Sequence, residues 1–114
     1  MQLTHEQASE LRFIPSKEYL YEIKVATEAL EEQQEELRTL FNKGVKRAME
    51  SIIQSIKSGL KELRRRPQLV ERKLKKVLKI TKGDAHAHHE LDGSTLTVQS
   101  GFFEATIYGV GIIE

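Results

Sequence analysis

Leu91-Asp92-Gly93-Ser94-Thr95-Leu96-Thr97-Val98-Gln99-Ser100-Gly101 is a strand framed by two turns. Asp92-Gly93 is a two-residue hairpin signal, and Ser100-Gly101 before Phe102 is a weaker second one. If both are two-residue turns, Leu96 stands opposite His89 and Ala105, and Val98 opposite Ala87 and Phe103. One face then collects Ala87, His89, Leu91, Leu96, Val98, Phe103, Ala105 and Ile107. The other collects His86, His88, Glu90, Thr95, Thr97, Gln99, Phe102, Glu104, Thr106 and Tyr108. A register chosen by turns alone thus separates an apolar from a polar face, which predicts a three-stranded antiparallel meander packed on helices.

Upstream of Gly83 the apolar period lengthens from 2 to about 3.6 residues, and helices are expected. Val70, Leu74, Val77 and Leu78 form the stripe of a basic third helix that ends near Lys82, where Gly83 stops it. Pro67 after Arg64-Arg65-Arg66 predicts the end or a kink of a second helix there, with Pro67 in the first turn of the third. The second helix carries Val45, Met49, Ile52, Ile56, Leu60 and Leu63, broadened by Ala48 and Ile53. A preceding long helix opens after Ser16 as N-cap and carries Leu20, Ile23, Thr27, Leu30, Gln34, Leu37 and Phe41 in 3,4 alternation. At Asn42-Lys43-Gly44 the two run on as one helix or fold back. A hairpin is favoured, with Gly44 as a left-handed cap, because it lays an acidic helix against a basic one. Thr4 and Gln7 have capping-box spacing for a short helix from His5 to about Arg12, ended by Pro15.

The resulting expectation is an α+β fold in a single domain spanning residues 1–114, helical over 1–82 and a meander over 83–114. The 114 residues are one domain's worth, and so small a core invites partner chains. The absence of Cys removes disulfides, thiol nucleophiles and thiolate zinc sites. No phosphate-loop, dinucleotide, nucleophile-elbow or zinc-protease motif occurs. The first residues lack the apolar core of a signal peptide and no apolar run is long enough to cross a bilayer, so a soluble cytoplasmic protein without a transmembrane segment is expected.

A net charge of +1 conceals a steep segregation. Residues 1–40 carry 4 basic and 9 acidic side chains, residues 41–82 carry 14 and 3, and residues 83–114 carry 0 and 5. Lys43, Arg47, Lys57, Lys61 and Arg64 fall on the face opposite the apolar stripe, interrupted in sign only by Glu50, and Arg65, Arg72, Lys73, Lys75, Lys76 and Lys79 extend the charge. Such a ridge neutralises several phosphates at once, the sequence-independent part of nucleic-acid affinity. Lys43, Arg47, Lys57, Lys61, Arg64, Arg65, Arg72, Lys73 and Lys76 are therefore the candidate contacts to nucleic-acid backbone, a phosphorylated small molecule or an acidic protein. Base-reading signatures are missing, so backbone contacts are expected to dominate.

Three of the four histidines lie in Asp84-Ala-His-Ala-His-His-Glu90. On a strand, His86, His88 and Glu90 share one side, with Glu104 two strands away level with His88. Neutral imidazoles at alternate positions suit zinc or a similar divalent metal, and a carboxylate beside such a metal could serve as general base of a small hydrolase. The bland alternatives are a polar sheet surface or a pH-sensitive one. Beyond Tyr108 the tail outruns its partner strands, which makes Val110, Ile112 and Ile113 candidate oligomer contacts. The reading favoured by these features is a non-enzymatic, homo-oligomeric interaction or regulatory protein whose basic helices bind an anionic partner, without a required cofactor. The alternative is a structural or inhibitory protein acting through protein contacts only, and the metal-dependent hydrolase stands third.

Overall fold

The structure, a computed structural model, describes residues 1–101 and 103–113. Phe102, expected on the polar face of the meander, lies outside them. The described elements run β1 (Gln2–Leu3), α1 (His5–Ser9), β2 (Arg12–Phe13), α2 (Lys17–Thr39), α3 (Lys43–Thr81), β3 (His88–Asp92), β4 (Thr95–Ser100), β5 (Phe103–Tyr108) and β6 (Val110–Gly111). The chain is α+β, helices first and an antiparallel sheet after, as the change of period predicts. It divides into two compact units, Ser16–Arg66 and Met1–Pro15 with Pro67–Glu114. No helix of the described residues is long and apolar enough to cross a membrane.

In the Ser16–Arg66 unit, α2 and the first part of α3 form the helical hairpin. The Ser16 hydroxyl accepts the Tyr19 N–H at 3.0 Å and caps α2. The break falls at Leu40–Asn42, and Gly44 lies inside the first turn of α3 instead of closing α2. Asn42 explains the difference: its Oδ1 accepts the N–H groups of Gly44 and Val45 at 2.9 and 3.3 Å, an N-cap that fixes where α3 starts. Ile53 and Leu60 are buried, whereas Ile52 turns outward, so Ile53 takes the stripe position expected for Ile52.

The expected end of a second helix at Pro67 is not found, because α3 is one helix from Lys43 to Thr81 with Pro67 inside it. A proline there withholds the N–H that the carbonyl of Leu63, four residues back, would accept. The Tyr19 hydroxyl takes the place of that donor, giving its hydrogen to the Leu63 carbonyl at 2.7 Å. The Arg66 guanidinium lies 5.4 Å from the centre of the Tyr19 ring and 3.8 Å from Glu22, which holds the ring at the interruption. Tyr19→Phe keeps the ring and removes only this donor. It should lower stability by about 1 to 2 kcal/mol in urea denaturation, the usual cost of leaving such an acceptor unpaired. An unchanged midpoint would mean that water replaces the hydroxyl at no cost.

The second unit is built on a four-stranded antiparallel sheet in the order β1-β3-β4-β5. Leu96 faces Leu91 and Ile107, and Val98 faces His89 and Ala105. The expected pairing is therefore displaced by two residues in both hairpins. The first turn closes at the Asp92↔Thr95 pair around Gly93 (φ +61°), one residue later than Asp92-Gly93 predicts, and the second closes at Ser100↔Phe103. Moving a two-residue loop by one position moves the pairing by two, so every side chain keeps its face. Leu91, Leu96, Val98 and Ile107 are accordingly buried with Leu74, Val77 and Leu78 of α3, the stripe read from the sequence.

Two pairings were not foreseen. Gln2↔Glu90 and Leu3↔His89 add β1 to the edge of β3, and the Met1 ammonium donates to the Leu91 carbonyl at 2.9 Å. Arg12↔Gly111 and Phe13↔Val110 form a separate two-stranded sheet, extended by the Ile14 N–H to the Gly109 carbonyl at 2.8 Å. The tail that outruns β4 thus has a partner within its own chain. The same pairing explains why α1 stops at Ser9 and not near Arg12: its capping box forms as read, but Arg12 and Phe13 are claimed by β6.

Candidate anion-binding surface

Between Lys43 and Thr81, α3 carries 13 basic and 3 acidic residues. In the hairpin unit Lys43, Arg47, Lys57, Lys61, Arg64 and Arg65 are all exposed, as an amphipathic helix with one buried stripe requires. In the other unit Arg72, Lys73 and Lys76 are exposed too, but the Lys73 ammonium donates to the Thr106 carbonyl of β5 at 2.9 Å and is tied to the sheet. Among the described residues, the one pair within 4 Å that joins a base of α3 to an acid is Arg66 with Glu22. The acidic run of α2 from Glu28 to Glu36 does not neutralise the ridge by contact, and Arg38 pairs within α2 to Glu35 at 3.4 Å. Acids inside the screening length of about 8 to 10 Å still lower the field over the ridge, but apart from Glu22 no acid among the described residues ties up one of its cations in a contact pair.

The fold also makes a concavity that the sequence did not announce. His5, the first residue of α1, places Nε2 2.8 Å from the Leu78 carbonyl in the last turns of α3. Since a carbonyl only accepts, Nε2 carries the proton. α1 and the segment after it thereby form one wall, and α3 the other, of a cleft of about 520 Å³. Leu11, Leu74 and Leu78 close its floor, and Arg12, Lys75, Lys79 and Lys82 stand around it with Ser9 and Glu71. Lys75, Lys79 and Lys82 are legible in the sequence as one helical face at i, i+4 and i+7. Arg12 and His5 are not, because only the docking of α1 brings them there.

The chain matches no family model, no curated protein and no solved structure.

The histidine cluster is dispersed. His86 lies in the turn before β3, its N–H bonded to Asp84 Oδ1 at 2.9 Å, so strand alternation does not extend to it. His88 and Glu90 do share the exposed side of β3, and Glu104 is level with His88 as read, but Gln99 of β4 stands between them and donates to Glu104 at 3.4 Å. Among the described residues no three His, Cys, Asp or Glu side chains are grouped to hold a metal ion, so His86, His88, Glu90 and Glu104 are not assembled as a donor set.

His89, the fourth histidine of the chain by position, is instead a core residue, 4% exposed. Its Nε2 lies 3.4 Å from Thr81 Oγ1, and the His5 ring meets it edge-on with centroids 5.6 Å apart. Burial first, then the neighbouring His5 and His88, lower its pKa below the ordinary 6.5. The unfolded chain then binds a proton at a pH where the native state does not, so stability should fall as pH drops from about 6.5 toward the lowered native value. Above that window His89 is neutral in both states and contributes no slope. His89→Leu should remove this part of the pH dependence of the melting temperature, and a slope unchanged by the substitution would assign it to other groups.

Of the tail residues proposed as oligomer contacts, Val110 is fully buried in the core of its own unit and cannot meet another chain. Ile112 and Ile113 are 51% and 63% exposed.

Proposed function

We propose that the protein is a non-enzymatic interaction module that binds the phosphate backbone of nucleic acid through the exposed basic face of α3. The observation that carries this reading is the concentration of 13 bases in one helix with a single acidic contact partner among the described residues. A ridge of that kind gains by releasing the counterions condensed on a polyanion, a gain that a scattered surface charge does not provide. The test is direct titration of the protein into labelled duplexes of unrelated sequence at low salt. Comparable binding to all of them supports backbone recognition, and no binding to DNA or RNA rejects it.

Self-association is the second part of the reading, and a specific surface supports it. Phe41 at the tip of the hairpin is 97% exposed, and Val45 and Ile52 are 43% and 49% exposed. With exposed Ala48, Val45 and Ile52 form an uncharged stripe at 3,4 spacing on α3, and Phe41 stands in the connection just before it, on a chain that is 31% charged. A second copy presents the same stripe, which is the condition for a two-fold contact. Light scattering at high micromolar concentration should give a dimer or larger species that Ile52→Lys weakens, and a strictly monomeric wild type rejects the assembly.

A further inference from the structure

We infer that the cleft between α1 and the last turns of α3 binds a small, free amphipathic anion: an aliphatic chain ending in a phosphate or carboxylate. Arg12, Lys75, Lys79 and Lys82 border it, and among the described residues none of the four has an acid within 4 Å. Arg12 holds Nη1 on the carbonyls of Ser9 and Leu11 at 3.1 and 2.8 Å, which fixes its guanidinium at the rim. Lys75 and Lys79 stand one turn apart on α3 and Lys82 follows directly after its last residue, so two or three ammonium groups can close on one head group. Glu71, the acid in the lining, lies one turn before Lys75.

The body of the ligand follows from what the walls offer. The tips of Leu11, Leu74 and Leu78 and the methylene stems of the lysines are aliphatic. His5 supplies the one ring in the lining, and it is engaged by the Leu78 carbonyl and by the edge contact with His89. The lining thus offers a nucleobase no free aromatic ring, only the Arg12 guanidinium at the rim, whereas an alkyl or acyl chain needs no platform at all. A volume of about 520 Å³ accommodates a single small molecule but not a helix, whose diameter with side chains is about 10 to 12 Å. None of these residues is among those substituted to test duplex binding, so the two readings stand or fall separately.

Titration calorimetry with octyl phosphate below its aggregation concentration tests the assignment, with inorganic phosphate and octyl glucoside as probes of charge alone and chain alone. Octyl phosphate should bind one to one, and Lys75→Gln with Lys79→Gln should weaken it by about tenfold or more, as expected for lost hydrogen bonds to a charged group. Arg72→Gln with Lys76→Gln removes the same charge from the same helix without touching a residue that lines the cleft. Each lies three residues from a cleft lysine, so part of the affinity is lost through the shared field, but by about threefold at most because no direct contact to the head group is removed. Equal loss in the two double variants, or equal binding of inorganic phosphate or of octyl glucoside, would overturn the proposal. Vesicles containing phosphatidic acid provide the last arm: binding to them that exceeds binding of octyl phosphate and is lost with Lys75→Gln and Lys79→Gln would replace the free ligand by a membrane surface. Lys57→Gln, Lys61→Gln and Arg64→Gln together should leave octyl phosphate binding intact whatever they do to duplex binding.

Discussion

Val110→Lys should lower the melting temperature of the unit that contains it steeply, whereas Ile112→Lys two residues on should leave that transition in place. Val110 has no exposed surface and belongs to the core with Leu11, Leu96 and Ile107, while its backbone pairs with Phe13. Burying the valine contributes about 1.5 to 3 kcal/mol, and an ammonium in its place must be dehydrated among the apolar side chains of that core. A loss of about 4 kcal/mol or more is expected against a total of about 5 to 15 kcal/mol for a domain of this class. Ile112 is half exposed, so its replacement should shift stability by less than about 0.5 kcal/mol. Thermal melts followed by far-UV circular dichroism distinguish the two. Equal melting of Val110→Lys and wild type would mean that β2 and β6 do not pair in solution and that the tail is free.

The contrast between Val110 and Ile112 also marks the limit of pattern reading in this chain. Elements with a period or a cap were legible: Thr4 with Gln7, Ser16 before α2, Gly83 after α3, and both faces of the meander. The two-residue strands β1, β2 and β6 have no period to read. They exist because an edge of β3 and a tail after β5 had unpaired backbone groups, and the nearest chain to satisfy them came from residues 2–3 and 12–13. At Pro67 the expected alternatives are an end or a kink, and the helix does not end there. A local rule disfavours the helix there, and a hydroxyl 44 residues before Leu63 satisfies the carbonyl that the proline leaves without a donor. The candidate site divides in the same way: the basic face of α3 is a matter of spacing, whereas the cleft requires His5 to meet Leu78 and could not be seen from either segment alone.

Duplex affinity should fall steeply with salt, with a slope of log K against log salt between about −3 and −5, because each neutralised phosphate contributes about −0.9. A slope near −4 corresponds to a loss on the order of a hundredfold between 50 and 200 mM salt. Lys57, Lys61 and Arg64 lie on one face of α3 within two turns, are exposed, and have no acid within 4 Å among the described residues. Replacing the three by Gln should flatten the slope by about 2 to 3 units, while the melting temperature stays put because none of them joins the stripe of Ile53, Ile56 and Leu60. Unrelated duplexes should give the same slope, since phosphates position a protein without informing it of sequence. If the triple variant binds duplex as tightly and as salt-dependently as wild type, the basic face of the hairpin is not the contact. Self-association of the wild type that strengthens at low salt and fails in the triple variant would instead assign the ridge to the acidic α2 of a second copy, whose Glu31, Glu32, Glu35 and Glu36 are exposed and leave the ridge unneutralised within the chain.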